Sequence, residues 1–195
     1  MTLVLRHGLP DALRNEAADL YWEAFGGKLG LVMGPKAKAV RFLRKALRRD
    51  HVILALSDEG SLLGLVGFKT FEGSFAGGDA ADLRAVYGRF GALWRAALLS
   101  LLEREVDNER FLLDGICVAA TARGQGVGTA LIEAICEEAK ARRYRMVRLD
   151  VIDGNARARA LYARFGFVAV KTERLGLLRY VFGFDASTTM IKDLY

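Results

Sequence analysis

The stretch Phe111-Leu-Leu-Asp-Gly-Ile-Cys-Val118, followed by Arg123-Gly-Gln-Gly-Val-Gly128, carries the reading of this chain. The first part is a short apolar run with one charge, the pattern of a buried strand. After the glycines a helix is predicted, with Val127, Leu131, Ala134, Ile135 and Ala139 on one side and Glu133, Glu137 and Lys140 on the other. Met146 to Ile152 reads as the next strand, so the segment is a strand-turn-helix-strand unit with parallel strands. Three glycines let the backbone of such a turn pass close to a ligand while the first helical turn presents unpaired N–H groups. That is an anion site suited to a phosphate or pyrophosphate, and Arg123 adds a side-chain cation. The plain alternative is that the glycines only tighten the turn.

No Gly-Lys-Ser/Thr closes the motif, which excludes a Walker loop. A dinucleotide fold is the better rival, because Gly124-x-Gly126 follows a strand and Asp150 ends the next one, 22 residues after Gly128. Against it, Thr129 stands where that fingerprint needs Gly or Ala. Only 45 residues remain after Asp150, too few for a second half.

Outward from this core, Leu3 to Arg6 reads as a strand, and a helix opening at Pro10-Asp11 runs through Leu20, Tyr21 and Ala24 to end at Gly26-Gly27. His51 to Leu56 and Leu62 to Phe71 form a hairpin about Ser57–Gly60, and residues 73–78 a loop. Asp79 to Glu105 is an apolar helical insertion between the third and fourth strands, about residues 79–106, with a break near Gly88 or Gly91. A short helix from Asn155 to Phe165, closed by Gly166, and strands Phe167–Thr172 and Thr188–Leu194 complete one α/β domain over residues 1–195. Its sheet is mixed because a hairpin precedes a parallel unit.

Composition is consistent with that. Of 195 residues 52% are hydrophobic and 27% charged, enough for one core without staples. The greasiest run, Ala92 to Leu102, is broken by Arg95, and the N-terminus is charged too early for a signal peptide, so no membrane span and a cytoplasmic location are expected. Cys117 and Cys136 lie in apolar runs and read as buried reduced thiols; two histidines argue against a multi-histidine metal site. Residues 110–180 hold 13 Lys+Arg against 7 Asp+Glu, which accounts for the whole excess of +6. That is either a field over a polyanion site or surface scatter. Lys36 to Arg49 carries seven basic residues and no acid on an amphipathic pattern. A solvated face is the ordinary meaning, and nucleic-acid contact the sharper one.

Three pieces together, the strand ending at Val118 with Arg123-x-x-Gly126-x-Gly128, Asn155 after the next strand, and Ala160-Leu-Tyr162-x-x-x-Gly166-Phe167, resemble the GCN5-related N-acetyltransferase (GNAT) superfamily over residues 111–172. The resemblance implies a GNAT-like acyl-CoA N-acyltransferase fold and an enzyme that moves an acetyl group from acetyl-CoA to an amine. It implies that the N–H groups of Gly124, Gln125, Gly126, Val127, Gly128 and Thr129 hold the diphosphate and that the backbone at Ile116 and Val118 pairs with the pantetheine arm. By the same resemblance Asn155 bonds the pantetheine, Tyr162 protonates the departing thiolate, an N–H near Val118 receives the oxyanion, and a homodimer forms through the C-terminal strand. Positions 155 and 162 are seven apart, hence on one helical stripe. A helix N-cap for Asn155 and a half-buried core aromatic for Tyr162 are the competing readings.

For the base, Asp114 is the candidate. Strand alternation puts it with Leu112, Ile116 and Val118, where burial would raise its pKa; Gly115 is read as a bulge in preference to an Asp-Gly hairpin turn. A structural or water-ordering role is the alternative. The acceptor pocket is expected from Tyr21, Trp22 and Phe25 with the insertion, whose aromatics at 87, 90 and 94 are core or lid, and Glu72, Asp79 or Asp82 could attract a cationic amine. A silent acyl-CoA sensor is the second reading of the whole chain, and no metal is required.

Overall fold

The computed structural model of the protein describes residues 3–101, 106 and 109–195. Strands are β1 (Val4–His7), β2 (Val52–Leu56), β3 (Leu62–Thr70), β4 (Gly73–Ser74), β5 (Arg110–Val118), β6 (Met146–Ile152), β7 (Val168–Arg174) and β8 (Ala186–Asp193). Helices are α1 (Arg14–Met33), α2 (Lys36–Ala46), α3 (Ala80–Ser100), α4 (Val127–Ala141), α5 (Ala156–Arg164) and α6 (Arg179–Phe182). They build one mixed sheet in the order β1-β2-β3-β5-β6-β8-β7, with β4 paired to β3. β5 and β6 are parallel and joined by α4, as expected for the central unit.

Helices cover both faces, which explains why the strands read as continuous apolar runs. In β2 every residue is buried. Leu54 faces Tyr21, Phe42 and Phe75 on the side of α1, α2 and α3. Its neighbours Ile53 and Ala55 face Leu131 and Ile135 of α4 on the other side. Phe111 lies fully buried between Phe68 and Tyr144, with ring centroids 5.0 and 5.1 Å away. His51 ties β2 to β3 through Thr70 Oγ1 at 3.0 Å, its other ring nitrogen 2.8 Å from Asp50.

Three local expectations change. α1 does not stop at Gly26-Gly27 but runs to Met33, because neither glycine has a positive φ. Gly26 leaves room for the Trp22 ring, which a Cβ would meet at 2.8 Å. The stop comes at Gly34, before Pro35, where proline disfavours a helical conformation. The basic helix ends at Ala46, so Arg48 and Arg49 lie beyond it. Arg44 is 3.6 Å from Asp19, Arg48 is 2.8 Å from Asp50, and Arg49 pairs with Asp11, so acids outside the stretch answer three of the seven cations. The loop over residues 73–78 begins with the two-residue β4; α6 lies in a stretch for which the sequence predicts no element.

The insertion is α3, bent at Gly88, whose φ of 71° interrupts the helix. The expected extension over residues 102–105 lies outside the described residues. β8 is paired on both edges, with β6 and with β7, so a dimer through the C-terminal strand finds no free edge there. Both cysteines are buried and free, and no helix is long and apolar enough to cross a membrane among the described residues.

Candidate active site

Parallel pairing of β5 with β6 covers only Arg110–Leu112 and Met146–Arg148; beyond these residues the two strands part. On its other edge β5 stays paired with β3 as far as Val118 opposite Gly64. Ala119 N–H bonds Leu63 O at 2.9 Å, so the alternation of an antiparallel ladder turns the backbone groups of Ile116 and Val118 toward the gap. Such an open edge can take an extended ligand as an added strand.

The glycine-rich turn stands at the end of that edge. Gly124 and Gly126 have φ of +80° and +83°, and a Cβ on either would meet nothing within 4 Å, so backbone conformation demands glycine and the space above it is open. Gly128 has no positive φ, and a Cβ there would meet Leu161 of α5 at 3.4 Å, an ordinary contact. Gly126 caps α4 without a side chain, and the first helical bond runs from Ala130 N–H to Gly126 O. The N–H groups of Val127, Gly128 and Thr129 therefore project from the positive end of the helix. Gln125 braces the turn, its Nε2 donating to Thr121 O at 2.7 Å. These groups fit a diphosphate. Arg123 stands at the turn with Nε donating to Val118 O at 3.3 Å and its guanidinium 3.5 Å from Glu23, which α1 brings alongside.

Asn155 caps α5, its Oδ1 accepting from Ala158 N–H at 3.1 Å. This is the N-cap reading, and it leaves the amide Nδ2 for a ligand. Asn155→Ala should lower stability by about 1 kcal/mol in denaturant unfolding, the usual worth of a cap. Asn155, the N-cap of α5, is exposed, while Tyr162 within the helix is buried. The Tyr162 ring packs on Phe167 at 5.9 Å. Burial, and next the Cys117 thiol, push its phenol well above the ordinary tyrosine range, so it stays protonated.

Asp114 is the extra residue of a bulge. Gly67 pairs with Gly115 and Phe68 with Leu113, which leaves position 114 unpaired and sets the irregularity one residue before the expected Gly115. The bulge reverses the alternation. Ile116 and Val118 join the α4 side, whereas Asp114 and Leu112 open on the side of α1 and α3, so the expected shared face does not exist. Asp114 Oδ2 accepts from Ser74 Oγ at 2.6 Å and from Ala76 N–H at 3.4 Å. The Tyr21 phenol is raised by burial first, then by Asp114 and Cys117.

Asp114 sits in a cavity of about 610 Å³, a size that holds a small ligand. Tyr21, Trp22 and Phe25 of α1 form one wall, as expected, and α3 contributes Leu83 and Leu99. Tyr87 belongs to the core, packing on Phe42 at 6.4 Å and donating to Met33 O, while Phe90 and Trp94 are exposed and do not line the cavity. Of the three acids considered for the amine, Asp79 lines it, its carboxylate capping α3 at Asp82 N–H; Glu72 and Asp82 do not. Asp150, the ribose acid of the dinucleotide rival, is instead bonded by Thr189 Oγ1 and borders the same cavity. Lys28 and Ser74, also in its walls, went unread in the sequence: a single lysine past an aromatic stripe and a serine in a glycine-rich loop carry no pattern.

The sequence profile of the acetyltransferase (GNAT) family matches residues 14–167. Among solved structures, the chain is similar to an N-acetyltransferase from Staphylococcus aureus Mu50, with 15% identity, 97% of this chain and 100% of that one covered, and a TM-score of 0.66. It is also similar to Ard1 from Thermoplasma volcanium, with 14% identity, 100% and 99% covered, and a TM-score of 0.63. For the ribosomal-protein-S18-alanine N-acetyltransferase from Escherichia coli the values are 15% identity, 99% and 94% covered, and 0.56. At these identities the likeness is one of fold. No curated protein matches the chain.

Proposed function

This chain belongs to the GNAT acetyltransferase family, and on that premise we propose that it transfers an acetyl group from acetyl-CoA to the primary amine of a small molecule or peptide by direct attack in a ternary complex. The observation that carries the reading is the parting of β5 from β6, with the glycine-lined start of α4, free of a side-chain cap, beyond the end of β5 and the carboxylate of Asp114 in a cavity on the same strand.

The donor supplies the activated thioester when bound. The N–H groups from Gly124 to Thr129 hold its diphosphate, the gap-facing backbone of Ile116 and Val118 aligns its arm, and Asn155 Nδ2 bonds it further along. Ordering both reactants in one cavity supplies most of the rate. The amine nitrogen bonds the acetyl carbon as the carbon–sulfur bond breaks. Asp114, directly or through a water, takes the amine proton, the N–H near Val118 stabilises charge on the carbonyl oxygen, and Tyr162 gives its proton to the sulfur.

Two measurements test this. Titration calorimetry with acetyl-CoA and with CoA should give heat, and an amine panel should give acetylated product with equal release of thiol. Donor binding without product from a broad panel would favour the sensor. Gly126→Val should weaken donor binding about 10-fold by calorimetry, because a β-branched residue resists a positive φ and the turn must give up its N–H geometry. Unchanged affinity would detach the turn from the donor.

A further inference from the structure

Lys28 is a cation set in an apolar wall. It stands one turn beyond Phe25 on α1; Phe25 in turn lies so close over β5 that a Cβ on Gly115 would meet its ring at 2.8 Å. The Lys28 ammonium is 5.1 Å from the Phe25 ring centroid and lines the cavity that holds Asp114. Among the described residues no carboxylate pairs with it. Burial lowers its pKa, opposed only by the Cys117 thiol of β5, the same thiol that lies within electrostatic reach of Tyr162. An ammonium drawn out of water without a counter-ion is unfavourable until a ligand brings one.

The cavity's own carboxylates are held elsewhere, Asp79 by Asp82 N–H, Asp114 by Ser74 and Ala76, and Asp150 by Thr189 and Arg148. On the reading given above, the donor's phosphates lie at the glycine turn, and its thioester end is uncharged. A negative group that pairs with Lys28 therefore comes with the acceptor. The rest of the cavity is apolar where α2 and α3 face it, with Phe42, Leu43, Leu83 and Leu99. We infer that the acceptor is a free amino acid with an apolar side chain, its carboxylate paired with Lys28, its amine presented to the thioester beside Asp114 and its side chain held between α2 and α3. The transfer itself is the one already written, with the amino acid's nitrogen as nucleophile.

This rests on the acetyltransferase reading, and the experiment separates the two. The full chain is given acetyl-CoA with phenylalanine or phenylalaninamide, and with leucine or leucinamide, pairs alike in size, with each kcat/KM referred to the concentration of neutral amine so that the pair differs in the negative charge alone. The expected kcat/KM for each acid exceeds that of its amide by about 30-fold, the scale of one charge-assisted hydrogen bond in a partly buried site. Lys28→Gln should bring the ratio close to one, through a higher KM for the acids, and Lys28→Arg should keep a preference for them. Equal rates for acid and amide, a preference for the amides, no product from any of the four, or an equal fall for all four in Lys28→Gln would overturn the assignment. So would an acetyl group found on Lys28 itself by peptide mass mapping. Calorimetry with acetyl-CoA runs alongside: donor heat without a preference for the acids sinks only the amino acid assignment, and no donor heat sinks the enzyme reading with it.

Discussion

Tyr162→Phe should lower kcat about 100-fold while leaving the donor's dissociation constant within about twofold, the usual worth of one positioned general acid. The substitution removes an oxygen and nothing else. The ring remains buried on Phe167, and the hydroxyl makes no hydrogen bond to another described residue, so the fold is not strained by its loss. On the proposed mechanism, what disappears is the proton given to the departing sulfur. Because burial and the Cys117 thiol raise the phenol's pKa, the acid form persists above the pH at which an ordinary tyrosine ionises. The alkaline limb of kcat set by this group therefore lies beyond the ordinary tyrosine range in the wild type, and it is absent from the variant. Steady-state rates across pH, with calorimetry for the donor, check both statements. An unaltered kcat would return Tyr162 to the core.

Asp114→Asn is the second large effect, a fall in kcat/KM of about 100-fold at neutral pH with donor affinity unchanged. The amide oxygen of Asn can still accept from Ser74 Oγ and Ala76 N–H, so the bulge and the turn at β4 keep their tie. It cannot take up the amine proton. Thermal unfolding close to wild type together with a depressed rate separates loss of chemistry from loss of structure. If kcat/KM stays within about threefold, the carboxylate is there to anchor β4 against β5 and the proton leaves by another route.

The two residues differ in how far the sequence could speak for them. Tyr162 lies inside a spaced motif, and spacing along a helix survives folding, so its link to Asn155 through α5 was legible. Whether each side chain is capped or buried was not, because that depends on what packs over the helix. Asp114 was visible as the one charge in an apolar strand. Its face was not, since a single unpaired residue in the ladder with β3 reverses every side chain after it, and a bulge leaves no mark in composition. The helix stop at Gly26-Gly27 failed for a related reason: glycine permits a left-handed turn without requiring one, and here it makes room for Trp22.

The sequence by itself determined the mixed α/β class, the parallel unit about α4, the hairpin of β2 and β3 and the glycine turn with its open N–H groups, because these follow from local periodicity and from backbone freedom over a few residues. Only the tertiary structure decided that β5 and β6 part after three paired residues, that Arg123 turns to Val118 and Glu23, and that Lys28, Ser74 and Asp114 border one cavity. Those outcomes depend on contacts between residues tens of positions apart, and the energies that fix them belong to packing between elements, which no window of sequence contains.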